Sequence, residues 1–131
     1  RGGARRVTAV DLDPLARVAM ALNAAANAVD VAISDADPLT MDAGIVAAHV
    51  DVIVAGDLWY ERQTAERVTP WLRRMAAAGM EVLVGDKRRA FFPRTGLRRL
   101  GRYHIATPEN LEPGTISEAG VWQVLAAPEG D

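Results

Sequence analysis

The sequence predicts an α/β domain of three layers, built on a mostly parallel β-sheet. Three observations predict it: short β-branched apolar runs alternate with helical stretches, the connections are short, and the last two apolar runs have no helix between them. Strands that alternate with helices form parallel sheets, whereas two strands without an intervening helix pair as an antiparallel edge. The length of 131 residues predicts a single domain over residues 1–131.

Composition excludes several classes of function. The 15 Lys and Arg residues against 17 Asp and Glu give a net charge of -2, so we expect neither a nucleic acid nor a membrane as partner. The chain has no cysteine and only two histidines, His49 and His104, so we expect no metal. It has no run of about 20 apolar residues, which predicts a cytoplasmic protein. Abundant alanine, with Lys87 as the only lysine, is typical of GC-rich bacterial coding sequence.

The first part of the chain predicts a strand, a helix and a second strand. Residues 7–10 form an apolar strand, after which Asp13 can cap a helix that begins at Pro14. Apolar residues at three- and four-residue spacing predict a helix to about residue 26 with one buried face. Asn27 can end this helix, and residues 29–33 form the next strand.

The second part predicts two further strands around a long helix. Residues 51–55 form the clearest strand, and residues 61–78 an amphipathic helix that Pro70 kinks or breaks. Gly79 ends the helix, and residues 80–84 form the fourth strand.

The last third combines a basic cluster with the antiparallel pair. Residues 87–102 carry seven basic side chains and predict a loop with a short helix. Residues 103–107 and 121–125 then form two strands, joined by a loop over residues 108–120. The cluster is either a recognition surface for an acidic protein or a solvated helix face.

Acidic residues follow the predicted parallel strands. In open α/β sheets, ligands bind beyond the carboxyl ends of the strands. A single aspartate there is commonly a helix cap, but four at four strand ends predict that at least two of them are functional. These residues are Asp11, Asp35, Asp57 and Asp86.

Two of these acids are placed to bind a nucleoside. Asp11 can accept hydrogen bonds from both hydroxyls of a ribose, since a carboxylate at a strand end has this role in nucleotide-binding sheets. Asp35 can accept from an adenine amino group, although Asp37 competes for this role and an Asx turn explains either residue.

The segment from Gly56 to Glu61 is the most informative motif. Gly56 lets a ligand approach the backbone, and Asp57 supplies an acceptor. Trp59 and Tyr60 form an aromatic pair that is costly to expose without a function. The alternative is that both aromatic residues pack in the core and that Asp57 caps the next helix.

Together these motifs resemble the class I S-adenosylmethionine-dependent methyltransferases. Within them, Asp57 and Tyr60 match the Asp-x-x-Tyr motif of protein lysine methyltransferases, and the order of the pieces most resembles the electron transfer flavoprotein β-subunit lysine methyltransferases. The matching pieces are Val10 to Ala16, Ala21 to Asn23, Asp51 to Glu61, Trp71-Leu72, Val82 to Asp86 and Val121-Trp122.

The resemblance implies a Rossmann-like fold, a cofactor and a set of roles. S-adenosylmethionine is the implied cofactor, and lysine side chains of a protein, most closely the electron transfer flavoprotein β subunit, are the implied substrate. The implied roles are cofactor binding for Asp11, Leu12, Asp35 and Gly56, catalysis for Asp57 and Tyr60, and substrate binding for Trp59, Glu61 and Arg89.

The sequence departs from the family's pattern at two places. The glycine-rich loop that follows the family's first strand has no counterpart, since this chain begins where the second strand is expected. We therefore expect an N-terminally incomplete domain in which the strands of residues 7–10 and 51–55 do not pair directly. The family's Gly-Asp-Pro-Gly-Arg pattern reads Gly85-Asp86-Lys87-Arg88-Arg89 here.

Other functions remain compatible with the sequence. A methyltransferase of this class can act on a ribosomal protein or a small amine instead. A phosphoacceptor receiver domain also has an acidic pair, a later aspartate and a lysine at strand ends, which Asp11, Asp13, Asp57 and Lys87 imitate. A binding or scaffolding remnant without catalysis is the third alternative.

Overall fold

A computed structural model describes residues 3–106 and 116–126, and the chain divides into two compact units, Arg1–Met41 and Asp42–Asp131. The predicted alternation of strands and helices is confirmed, and no helix in these described ranges is long and apolar enough to cross a membrane. The elements are β1 (Thr8–Val10), α1 (Pro14–Ala26), β2 (Ala32–Ser34), a 3₁₀ turn (Pro38–Thr40), α2 (Ala43–Ala47), β3 (Val52–Gly56), α3 (Arg62–Ala77), β4 (Glu81–Asp86), β5 (Leu97–Ala106) and β6 (Ile116–Val124).

The first unit consists of β1, α1, β2 and the 3₁₀ turn. β1 and β2 are parallel, with Val10 opposite Ser34. As predicted, Asp13 caps α1 and Asn27 ends it. The predicted buried face of α1 is wrong, because Leu15 is 78% and Leu22 67% exposed. Two strands of three residues each offer too little surface to cover a helix of 13 residues.

The second unit is built on a four-stranded sheet in the order β3-β4-β6-β5. β3 and β4 are parallel, and β6 is antiparallel to both β4 and β5, as predicted for the last two strands. β1 and β3 belong to separate sheets, which agrees with the expectation that they do not pair directly. The antiparallel β6 argues against the receiver alternative, whose doubly wound sheet is parallel.

One face of this sheet carries the core of the unit. α3 packs there, and the side chains that are less than 2% exposed are Trp59, Leu72, Met75, Val82 and Val84. On the opposite face Val54 of the edge strand β3 is 78% exposed. Alternation of side chains along each strand therefore divides the sheet into a packed face and an open face.

Two predicted elements differ in the structure. α3 runs through Pro70 as one helix, so the predicted break is wrong. Pro70 is exposed, and water can therefore solvate the carbonyl that its missing N–H leaves unpaired. The short helix predicted within residues 87–102 is also wrong, since residues 87–96 contain no helix and β5 begins at Leu97. Much of the loop predicted over residues 108–120 lies outside the described residues.

Candidate active site

In the first unit, the carboxyl ends of β1 and β2 bring two of the predicted acids side by side. Asp11 follows Val10 and Asp35 follows Ser34, and these strand residues are opposite each other in the ladder. The backbone N–H of Asp11 donates to the Ser34 carbonyl at 3.3 Å, which extends the pairing by one step. The backbones of Asp11 and Asp35 therefore lie at the same edge of the two-stranded sheet.

The turn that carries Asp11 is fixed by three side chains. Asp11 Oδ1 accepts from the backbone N–H of Asp13 at 2.9 Å, and Asp13 Oδ1 accepts from the N–H of Leu15 at 2.8 Å. Arg17 Nη1 donates to the carbonyls of Asp11 and Leu12, both at 2.9 Å. A carboxylate has about four acceptor positions, so Asp11 retains capacity for a ribose hydroxyl pair. These acceptor positions thus fit the two hydroxyls of a ribose.

Asp35 and Asp37 differ in their local hydrogen bonds, because only Asp37 caps the 3₁₀ turn in the described structure. Asp37 Oδ1 accepts from the N–H of Leu39 at 3.0 Å and caps the 3₁₀ turn. Asp35 is exposed at the strand end. The Asx turn that the sequence left open therefore belongs to Asp37, and the role of Asp35 toward an adenine stays a prediction.

In the second unit, Asp57 directly follows β3 and has an unusual backbone conformation. Its φ is 58°, in the left-handed region, and its N–H donates to the Gly85 carbonyl at 3.1 Å. Arg88, after β4, has a φ of 59°. Left-handed non-glycine residues are uncommon and tend to occur at functional sites. Two of the three among the described residues thus lie at neighbouring strand ends.

Arg89 holds the Asp57 carboxylate from the adjacent strand end. Its Nε donates to Asp57 Oδ1, and its Nη2 donates to Asp57 Oδ2 at 2.9 Å, so the pair is bidentate. Asp86, which is 5% exposed, accepts from the backbone N–H of Arg89 at 2.7 Å through Oδ1. The buried Asp86 therefore orients the turn that delivers Arg89 to Asp57.

The ion pair stabilises the charged form of Asp57. Hydrogen bonding from Arg89 lowers the pKa of Asp57 below its ordinary value of 3.8; burial opposes this shift, and the positive charges of Arg89 and Lys87 add to it. The same contact raises the pKa of Arg89. Asp57 is therefore a carboxylate at neutral pH and can accept hydrogen bonds, but it cannot retain a proton as a general base must.

Replacing Arg89 with glutamine is expected to raise the pKa of Asp57 toward its ordinary value. A lowered carboxyl pKa stabilises the folded state above the pKa of the unfolded chain, and this contribution is lost as pH falls through the folded value. The variant should lose that pH dependence below about pH 4. Carboxyl ¹³C NMR titration measures the change, with Arg62→Gln as control, and identical titration of Asp57 in wild type and Arg89→Gln contradicts the assignment.

The structure corrects the role predicted for Trp59. This side chain is 1% exposed, its Nε1 donates to Thr69 Oγ1 at 2.9 Å, and its ring packs edge-on against Phe92 with centroids 5.0 Å apart. It therefore packs in the core, which the sequence left open as the alternative, and does not face a substrate. Tyr60, the next residue, is 57% exposed and accessible.

Two other predicted site residues, Glu61 and Gly56, have few contacts with their neighbours. Glu61 stands at the N-cap of α3 without a side-chain capping bond, so the alternative in which Asp57 caps this helix is wrong. A Cβ at Gly56 would meet only the Gly85 carbonyl, at 3.7 Å, an ordinary contact. The surrounding residues would therefore leave space for a side chain at position 56, and the predicted role of Gly56 toward a ligand stays a prediction.

Sequence reasoning found the members of the site but missed their pairing. Asp57 and Arg89 are 32 residues apart, and no local pattern reveals a contact at that distance. The Gly85-Asp86 dipeptide was the available signal, since an aspartate at a strand end can cap the turn after it. Within the described ranges no group of three or more metal-ligating side chains occurs.

Comparison with known proteins agrees with these features. No model of a known protein family matches the chain. It is 32% identical over 126 residues to the electron transfer flavoprotein beta subunit lysine methyltransferase of Xenopus laevis, covering 92% of this chain and 50% of that protein. The protein of the same name from Mus musculus is 29% identical and is covered to 48%. The chain thus spans about half the length of the curated relatives it matches.

Solved structures show the fold. The N-methyltransferase NodS from Bradyrhizobium japonicum WM9, in complex with S-adenosyl-L-homocysteine, matches with a TM-score of 0.55 at 15% identity, over 92% of this chain and 67% of that one. The structure of a putative methyltransferase from Thermoplasma acidophilum matches with a TM-score of 0.52 at 12% identity. The match covers 95% of this chain and 59% of that one. The chain is therefore similar to the electron transfer flavoprotein β-subunit lysine methyltransferases and has the Rossmann-like class I methyltransferase fold, as its motifs predicted.

Proposed function

We propose that the protein containing this chain transfers methyl groups from S-adenosylmethionine to lysine side chains of a protein, with the electron transfer flavoprotein β subunit as substrate. The observation that carries the proposal is the exposed Asp57 carboxylate, held by Arg89 at the end of β3 with the accessible Tyr60 three residues later. The names of the relatives support both the reaction and the substrate.

The first unit supplies acceptors for the cofactor. Asp11 is suited to the two ribose hydroxyls and Asp35 to the adenine amino group, since both are acceptors at neighbouring strand ends. Leu12, which is 57% exposed, offers apolar contact beside them. When bound, S-adenosylmethionine supplies an electrophilic methyl group on a positively charged sulfur.

The second unit has groups that suit a lysine amine. The amine must be neutral to attack, but a lone carboxylate beside it favours the charged ammonium form. The guanidinium of Arg89 offsets the charge of Asp57, while the carboxylate keeps acceptor positions for an amine N–H. The low pKa of Asp57 means that the proton leaves to water.

Tyr60 adds a second contact to the same amine. Its exposed hydroxyl can accept or donate a hydrogen bond, and its ring face attracts a cation with about 0.5–2 kcal/mol. Neither Asp57 nor Tyr60 acts as a nucleophile in this scheme. Orientation of the amine therefore supplies most of the rate, as expected when two reactants are held in line.

The function is tested with the full-length protein, purified electron transfer flavoprotein and radiolabelled S-adenosylmethionine. The expected result is label on lysines of the β subunit, located by mass spectrometry. A ribosomal protein extract and small amines serve as alternative acceptors. Label on one of these acceptors alone would overturn the proposed substrate, and failure of the protein to bind S-adenosylhomocysteine by calorimetry would overturn the proposed reaction.

Replacing Asp11 with alanine is expected to weaken cofactor binding by about 1.5–3 kcal/mol, the contribution of a hydrogen bond to a charged group. Calorimetric titration with S-adenosylhomocysteine measures the change. Asp42→Ala is the matched control, because the carboxylate of Asp42, like that of Asp11, accepts from the backbone N–H two residues later. An unchanged affinity in Asp11→Ala would remove this residue from the ribose site.

A further inference from the structure

A cationic pocket lies in the second unit, beside the turn that carries Arg89. It has a volume of about 280 Å³, and its floor is formed by the buried rings of Phe92 and Trp122, whose centroids are 4.6 Å apart. The exposed arginines that line it are Arg88, Arg94, Arg99 and Arg102. We call this cavity the arginine pocket.

A β-bulge brings two of these arginines to one side of the sheet. In a regular strand, residues three positions apart point to opposite faces. The register of β5 shifts between Arg99 and Gly101, so that Arg99 lies opposite Trp122 and Arg102 lies opposite Gly120. Opposite residues share a face, and both guanidinium groups therefore stand over the same aromatic floor.

Gly120 makes room for that floor. A Cβ at this position would lie 2.3 Å from the Trp122 ring, so only glycine lets the indole lie across β6 there. The ring is 8% exposed and contacts Phe92. The packing of Trp122 against Gly120 and Phe92 thus gives the arginine pocket a defined apolar floor beneath its charged side chains.

The charge balance of the pocket favours an anion. One acid lines it, Glu118, which pairs with Arg102 at 3.4 Å. Within the described ranges, Arg88, Arg94 and Arg99 have no carboxylate within 4.0 Å. Each guanidinium group can bind a carboxylate through two hydrogen bonds. The aromatic rings between them can contact apolar groups, so the pocket suits a ligand that carries carboxylates on an apolar chain.

We propose that the arginine pocket binds an acidic segment of a polypeptide and docks the protein substrate for methylation. The docking role rests on the function proposed above. A volume of about 280 Å³ is at the lower limit of small-molecule pockets, at roughly 300 Å³, and suits one or two side chains of a peptide. Arg88 lines the pocket and its neighbour Arg89 holds Asp57, so a docked segment lies beside the candidate methyl-transfer residues.

The proposal is tested with fluorescein-labelled peptides and the full-length protein. The probes are a short peptide that alternates glutamate with leucine and its counterpart with glutamine for glutamate. Fluorescence anisotropy should show binding of the glutamate peptide alone, weakened by added salt. Arg99→Gln should raise its Kd about tenfold.

Arg98→Gln is the matched control variant. Arg98 is the neighbour of Arg99 on β5 but points to the other face, where it donates to Gln123. The control removes the same charge from the same strand and should leave the Kd unchanged. Equal weakening by both variants would attribute binding to overall charge and overturn the pocket, as would equal binding of the glutamine peptide or no binding of the glutamate peptide. Stronger competition by single-stranded DNA than by unlabelled peptide would assign the pocket to a nucleic acid and overturn the proposal.

Docking and methyl transfer are distinguished by separate measurements. If the protein methylates its substrate but Arg99→Gln leaves the KM unchanged, the docking proposal fails and the function stands. If no methyl transfer occurs while peptide binding depends on Arg99, the pocket stands as a peptide site and the proposed function fails. A tenfold rise in KM with unchanged kcat in Arg99→Gln supports both.

Discussion

Replacing Asp57 with asparagine is expected to lower kcat for lysine methylation by roughly 10²-fold, the loss that misplacement of a reacting group by about 1 Å can cause. The variant removes the charge that accepts from the amine and leaves Arg89 without its partner. Asparagine is preferred to alanine here because the φ of 58° is tolerated by Asp and Asn but strained for other side chains. Steady-state kinetics with labelled S-adenosylmethionine measure the loss.

Two further measurements isolate the effect of Asp57. Binding of S-adenosylhomocysteine should change by no more than a few-fold, since the proposed cofactor acceptors are Asp11 and Asp35. Asp51→Asn removes an exposed aspartate that precedes β3 at its opposite end and should leave kcat unchanged. An equal loss of cofactor affinity and turnover in Asp57→Asn would refute this division of roles.

Replacing Trp59 with alanine is expected to destabilise the protein by about 3–5 kcal/mol. The indole is 1% exposed, packs edge-on against Phe92, and donates to Thr69 at 2.9 Å. Its removal creates a cavity and leaves the Thr69 hydroxyl without this donor. Urea unfolding followed by circular dichroism measures the difference, which is a large fraction of the 5–15 kcal/mol typical of a folded domain.

A milder substitution and a neighbour provide the controls. Trp59→Phe keeps an aromatic ring but loses the N–H, and we expect it to cost about 1–3 kcal/mol. Tyr60→Ala changes the adjacent exposed aromatic residue and should alter stability by no more than about 0.5 kcal/mol. If Tyr60→Ala destabilised the protein as much as Trp59→Ala, the burial of Trp59 could not be the cause.

Local signals in the sequence were sufficient to predict the order of the strands and helices and the antiparallel pairing of the last two strands. The Asp13-Pro14 helix start, the apolar runs before Asp11 and Asp57, and the missing helix between the last two strands each have a short-range physical cause. The start of β5 at Leu97 was missed because arginines dominate its sequence. They occur there because β5 is an edge strand with polar surroundings, and burial of apolar side chains does not determine its pattern.

The sequence predicted which residues belong to the candidate site, but it did not predict the contacts between their side chains. The Asp-x-x-Tyr motif marked Asp57 and Tyr60, but the same motif gave no indication that Trp59 points into the core and Tyr60 does not. Whether an aromatic side chain is buried depends on the partners that α3 and Phe92 present, which are set by tertiary packing. The ion pair with Arg89 and the bulge in β5 depend on tertiary structure in the same way.

The indole of Trp122, which lies across Gly120 on the floor of the arginine pocket, gives the protein an intrinsic optical reporter. The other two tryptophans, Trp59 and Trp71, are enclosed in the core around α3 and are shielded from whatever enters the pocket. A carboxylate or an apolar side chain that settles over Trp122 changes the polarity around one fluorophore of three. Emission from the unlabelled protein can therefore follow occupancy of the pocket in real time.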